Sequence, residues 1–353
     1  MHAQLSQALW VPRVRVTLAR VNDRLFSFAF GVLLACVGCG DAAAVAPSSA
    51  ASSSSSGGAG GGGAATLAVV EVVLFTHIED QSPVGELGSA PSKASYLGLR
   101  GALIEVATFA KARKLSWVLQ PDWKYLEAAR LYEDDALKAS TNGKNLFVHL
   151  RDDLGVAIDP HSHEKGGYNY TDVAHLLELL GVGGSTVIGG HIWDPSLPEF
   201  AEWDRFRVPL AGMKFPAALW RGDILIGAGT PNHVNDPLVS GAWRPQDRDH
   251  YFDDAPAGNI VAFGAWHDQL AGVEELVALY ADGTVKPGQM LTASWNIGPS
   301  AIVAKDGPST IDATVFEPLA ALVAKGLVES TDFTSLTQRW QTDFGGQATI
   351  YKP

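Results

Sequence analysis

The sequence predicts an α/β fold built on a parallel sheet, and three observations lead there. Short β-branched runs alternate with longer stretches of helical apolar spacing between Leu67 and Pro353. Polar clusters follow the strand-like runs, where a parallel sheet gathers its loops. Hydrophobic residues make up 46% of the chain and charged residues 18%, enough apolar material to cover both faces of a large sheet. Six or seven strand–helix units in roughly 288 residues suit a barrel better than a small open sheet.

The elements follow in order. Val69 to Thr76 is short, β-branched and continuous, which predicts a buried strand. Tyr96 to Lys114 has helical apolar spacing. Leu115 to Gln120 predicts a second strand, stopped by Pro121, and Lys124 to Tyr132 a second helix. Asn145 to Asp152 fits either period. Val156 to Ile158 predicts a strand leading into Asp159-Pro160-His161-Ser162-His163-Glu164. Thr171 is the expected N-cap of a helix that turns Val173, Leu176, Leu177 and Leu180 to one side and stops at Gly181. Ser185 to Ile188, Ile224 to Ile226, Ile260 to Phe263 and Met290 to Ala293 are further strands; Gly272 to Tyr280 and Val315 to Lys325 are helices.

The N-terminal 66 residues read differently. Arg20 and Arg24 precede the apolar run Leu25 to Ala35, the length of a signal-peptide core and short for a bilayer span. The run ends Leu33-Leu34-Ala35-Cys36 and resembles a bacterial lipobox, which implies lipid at Cys36, with Cys39 the fallback. Residues 37–66 carry the runs Ser52–Ser56 and Gly60–Gly63 and bury nothing, so they predict a flexible tether. The expected organisation is a signal peptide over 1–36, a linker over 37–66 and one domain over 67–353. An exported protein, lipid-anchored in the bacterial cell envelope, follows from that reading.

Charge narrows the partners. The whole chain carries −12; four arginines against Asp23 make residues 1–36 net +3, so the remainder carries −15. That surface repels phosphate backbones and anionic lipid, so nucleic acid is excluded and the membrane is reached only through the anchor. Both cysteines, Cys36 and Cys39, lie near the N-terminus, so any metal in the domain must be held by His, Asp or Glu.

Two clusters have the composition of a metal site. His77-Ile78-Glu79-Asp80 follows the first strand, and adjacent carboxylates there are costly unless paired, wet or bound to metal. In an extended segment His161 and His163 project to one side, as two imidazoles sharing an ion require. This pattern resembles the NodB-type polysaccharide deacetylases. The resemblance implies a distorted (β/α)7 barrel, with Asp80, His161 and His163 as ligands of a divalent metal and Glu79 as the general base. Three departures stand against it: Glu-Asp replaces the usual Asp-Asp, the histidines are two apart rather than four, and the arginine motif has only a weak counterpart at Arg207. Asp-x-His-x-His also resembles the opening motif of amidohydrolases and PHP-type phosphoesterases, but here it follows more than 90 residues of α/β pattern.

His267, followed by Asp268, is the candidate late acid that protonates a leaving group. Trp123, His191, Trp193 and Trp266 fall just past strands, and an indole suits the C–H side of a sugar ring. The expected function is an exported metal-dependent hydrolase removing acyl groups from carbohydrate, with zinc the expected ion. Two alternatives stay open. One is a metal-independent glycoside hydrolase using Glu79 with Glu164 or Asp268. The other is a non-catalytic carbohydrate-binding lipoprotein on the same fold.

Overall fold

In the computed structural model, the first strand shows why the chain folds as it does. β1 (Val70–Ile78) is buried along nearly its whole length. Val70, Val72 and Leu74 join one apolar cluster, and Val73 and Phe75 join another. Side chains alternate across a strand, so β1 is covered on both sides, which is why its sequence reads as one continuous apolar run. Its one interior charge, Glu71, is fully buried and held by Arg339 at 2.7 Å. A buried carboxylate without such a partner would be strongly destabilising.

The structure describes residues 67–190, 202–228, 237–266 and 269–353. They belong to one compact unit, Gly63–Pro353; the other unit, Met1–Gly62, lies outside the described residues, and with it the expected lipidation at Cys36. No helix among the described residues is long and apolar enough to cross a membrane.

After β1 come α1 (Ala90–Ala112), β2 (Trp117–Pro121), α2 (Trp123–Tyr132), α3 (Asp135–Ala139), α4 (Leu146–Leu154), β3 (Ala157–Ile158), α5 (Tyr170–Leu179) and β4 (Val187–Ile188). A small antiparallel pair, β5 (Leu210–Ala211) and β6 (Leu219–Trp220), precedes β7 (Ile224–Ala228), β8 (Ser240–Trp243) and β9 (Val261–Gly264). Then follow α6 (Leu270–Ala281), β10 (Leu291–Asn296), α7 (Pro299–Ile302), α8 (Gly307–Ile311), α9 (Glu317–Ala324), β11 (Val328–Ser330), α10 (Phe333–Thr342) and β12 (Thr349–Tyr351).

The first sheet runs β10-β1-β2-β3, with β11 also against β1, and every pairing in it is parallel. The second runs β12-β8-β9-β7-β4; its β4, β7 and β9 are parallel, while β8 and β12 are antiparallel. One parallel bridge, His161 to Gly189, links the chain just past β3 to the chain just past β4. At the other edges the amide of Ser294 donates to the carbonyl of Ala265 at 3.0 Å.

Local chemistry explains where the elements begin. The ambiguous segment at Asn145 is helical, because the Asn145 side chain accepts the amide of Val148 and caps α4. The cap of α5 is Asn169, two residues before the expected Thr171. Asn169 and Asp172 exchange side-chain and backbone bonds as a full capping box, while Thr171 is buried and donates to Leu210. The helix expected over Val315 to Lys325 opens instead with a π-type turn, Asp312–Phe316, ahead of α9.

Candidate functional site

The site is built where parallel strands end. β1 carries His77 and, one residue past its end, Glu79; β2 carries Gln120 and leads to Asp122; the chain past β3 carries Asp159, His161 and His163. The β1–β2 register sets His77 opposite Gln120 and Ile78 opposite Pro121. Beyond the register, the amide of Asp122 donates to the carbonyl of Ile78 at 2.9 Å. The amides of Asp159 and His161 donate to Leu119 and Pro121 at 3.0 and 3.4 Å. Backbone bonding therefore brings the three clusters to one rim, the end of a parallel sheet where binding groups collect.

One carboxylate oxygen organises the imidazoles. Glu79 Oε2 lies 2.9 Å from His163 Nε2 and 3.3 Å from His161 Nε2. The His161 ring stacks on His77 at 4.4 Å and tilts against His163 at 4.9 Å. One donor atom from each of His77, Glu79 and His161 lies within 4.8 Å of the others, a spacing that suits a single ion. His163 reaches the group through Glu79 and is itself exposed.

The electrostatics follow from burial and pairing. Burial alone pushes the Glu79 carboxyl up, but hydrogen bonds and positive charge from His161 and His163 outweigh it and hold the group well below the usual carboxylate range. Donating its Nε2–H to the Glu79 carboxylate raises His163. Burial lowers His77 well below an ordinary imidazole, reinforced by repulsion from His161, so His77 is neutral as a ligand must be. Burial also lifts two carboxyls behind the rim, Asp122 to about 6 and Asp159 to about 7. Asp159 accepts the Ser185 hydroxyl at 2.6 Å.

A glycine pair makes room for His161. A Cβ at Gly189 would stand 2.5 Å from the Pro160 carbonyl oxygen, and a Cβ at Gly190 would stand 2.0 Å from His161 Nδ1. Gly190 also has a φ of +72°, which only glycine adopts without strain. Gly189-Gly190 is thus the wall against which the buried imidazole lies. His77 Nε2 and His161 Nδ1 are buried without a hydrogen-bond partner among the described residues.

The expected site residues are distributed as follows. Glu79, His161 and His163 come together. Asp80, the expected ligand, faces Lys165 at 3.9 Å, and the carboxylate among the imidazoles is its neighbour Glu79. His77 and Glu79 are two apart, and the alternation applied to His161 and His163 would have paired them as well. Asp122 was legible only as the residue after a strand-stopping proline. Trp123 is half-buried, its indole stacked on Tyr168 at 4.6 Å and 6°. Trp266 is a correction: its ring is buried in the core against Tyr351, its N–H donates to Glu275 at 3.1 Å, and no side of it is open to a sugar. Glu164, the glycosidase alternative, pairs with Arg205 at 3.2 Å. His191, Trp193, His267 and Asp268 lie outside the described residues.

No family model and no curated protein sequence matches the chain. Among the solved structures that resemble it are the following three. One is a 4-alpha-glucanotransferase from Thermococcus litoralis, at 10% identity and TM-score 0.44, aligned over 81% of this chain and 42% of that one; this chain therefore spans less than half its length. Another, designated a glycoside hydrolase/deacetylase, is from Parabacteroides distasonis, at 9% identity and TM-score 0.48 over 79% of this chain and 73% of that one. The third is a GH57 branching enzyme from the hyperthermophilic archaeon Thermococcus kodakaraensis, at 10% identity and TM-score 0.44 over 77% and 71% of the respective chains.

Proposed function

We propose that this chain is a metal-dependent hydrolase that removes acyl groups from a carbohydrate, with the ion held by His77, Glu79 and His161. The observation that carries the reading is the grouping of two imidazoles and one carboxylate within 4.8 Å at the ends of β1 and β3, the parallel strands on either side of β2. The donor set fits a divalent transition ion, zinc first: nitrogen and oxygen donors, a neutral His77, and a buried His77 Nε2 left without a partner among the described residues. Such an ion supplies Lewis-acid chemistry, polarising an acyl carbonyl and acidifying water.

The chain's own residues do the rest. Glu79 holds the His163 ring through Oε2 and sets its direction. Gly190 lets the Nδ1–Cε1 edge of the His161 ring come up against the backbone. His163, half in solvent and raised by Glu79, is placed to give a proton to a leaving amine or alcohol. Trp123, next to Asp122 at the rim, supports a sugar-binding surface. The reading includes a distorted (β/α)7 barrel, with β1, β2, β3, β4, β7, β9 and β10 in chain order; the His161–Gly189 bridge and the Ala265–Ser294 bond support it.

The test is hydrolysis of acetylated oligosaccharides by the purified domain. Release of acetate should stop on chelation and return with added zinc. Acetate release that survives chelation would favour a metal-independent mechanism, and cleavage of the sugar chain in its place would favour a glycosidase.

A further inference from the structure

Two glycines in succession are the least constrained dipeptide a chain can have. Yet Gly189-Gly190 has to stand still, because the Nδ1–Cε1 edge of the His161 ring rests against it. One side of the dipeptide is held by backbone: the Gly189 amide donates to the Pro160 carbonyl at 3.1 Å, within the bridge between His161 and Gly189. The peptide that joins the two glycines is held by a side chain. The hydroxyl of Tyr170 donates to the Gly189 carbonyl at 2.7 Å. The amide of Ser162, the residue after His161, faces the same hydroxyl oxygen.

Tyr170 is itself firmly placed. It is the first residue of α5, directly after the Asn169–Asp172 capping box. Its ring is buried, edge-on to Phe206 at 5.0 Å and stacked on Trp220 at 5.9 Å. A phenylalanine would fill that place as well, so packing accounts for the ring and not for the hydroxyl. A buried phenol needs a partner, and this one finds it in the peptide behind His161. Burial pushes the phenol well above its ordinary value, so the oxygen keeps its proton and donates.

Resting on the ion site of the hydrolase reading above, we propose that Tyr170 is a positioning residue of that site: its hydroxyl fixes the Gly189–Gly190 peptide and, through it, the His161 ring. The donors that hold the ion are His77, Glu79 and His161, and Tyr170 acts on the last of them. Without the hydroxyl, the peptide turns on two glycine torsions and the edge of the ring loses its stop. His161 Nε2 is then no longer held in its place 3.3 Å from Glu79. Groups that orient a metal ligand from behind are worth about 10–100-fold in affinity.

The test measures zinc affinity by competition with a coloured chelator, and the visible bands of the cobalt(II)-loaded protein, which report the geometry of the donors. Tyr170→Phe should still take about one ion per chain, bind zinc about tenfold or more weakly than wild type, and show displaced cobalt bands. Tyr280→Phe is the control. Its hydroxyl also lies between a carbonyl, of Gln289, and an amide, of Leu291, but at the start of β10, the end of the sheet away from the site. It should lower the melting temperature comparably and leave zinc affinity and cobalt bands as in wild type. Unmoved bands and zinc affinity within about twofold of wild type in Tyr170→Phe would overturn the inference, and so would an equal change in both variants. 4-Aminophenylalanine at position 170 restores a donor at the same place and should return affinity and bands toward wild type; a folded protein in which it does not would also overturn the inference. A wild-type protein that takes up neither zinc nor cobalt would instead overturn the ion site itself.

Discussion

Gly190→Ala isolates the contact on which His161 depends. The substitution has two separable costs. Alanine at a φ of +72° pays about 1–2 kcal/mol for the left-handed backbone. The new methyl would also stand 2.0 Å from His161 Nδ1, well inside contact distance, so the imidazole or the backbone must move. Overpacking of this kind costs about 1–3 kcal/mol, and here it would also disturb the bond to Glu79 and the stacking on His77. The total is about 2–5 kcal/mol. In a domain of this size each kcal/mol lowers the melting temperature by about 2–4 °C. A double-mutant cycle with His161→Ala separates the parts. Removing the ring should abolish the steric cost and leave the backbone cost, so the two changes should couple by about 1–3 kcal/mol. Thermal or denaturant unfolding of the metal-free protein measures all four corners. Additive effects would refute the claim that Gly190 exists to admit His161.

Two further outcomes are expected. Burial raises the Asp159 carboxyl to about 7 from 3.8, so the folded state binds the proton more tightly than the unfolded chain. Below the unfolded value there is no penalty; between about 4 and 7 stability falls as pH rises, by about 4 kcal/mol in all. Asp159→Asn should therefore become progressively more stable than wild type from pH 4 to pH 8 in thermal melts without metal, and a difference independent of pH would contradict this. Lipid at Cys36 should appear as incorporation of a fatty-acid analogue that is lost in a Cys36→Ala, Cys39→Ala double variant; unchanged labelling would exclude it.

What the sequence made legible was whatever local pattern determines. β1 was readable because a strand covered on both sides must be continuously apolar, and the alternation of His161 and His163 because extended chain has a period of two. The missing pieces depend on pairing across strands. His77 joins the site through its stacking on His161, 84 positions away, and Asp122 through a backbone bond to Ile78. The choice of Glu79 over Asp80 rests on which way the chain turns after β1, and two adjacent acids give no local clue to that. The tryptophans mislead for a related reason. Trp117, Trp203, Trp243, Trp266 and Trp340 are all buried side chains of the core, and an indole in the sequence does not declare which side of a strand end it will take.

The ion itself is the central claim, and elemental analysis of the domain purified without tag or chelator tests it most directly. The wild type should carry about one divalent transition ion per chain, as a single three-donor site requires. His77→Ala, His161→Ala and Glu79→Gln should each lose it, and Asp80→Ala should keep it. Retention in Glu79→Gln with loss in Asp80→Ala would reverse the assignment of the carboxylate ligand. A wild-type domain free of metal, with no uptake of added zinc, would contradict the account.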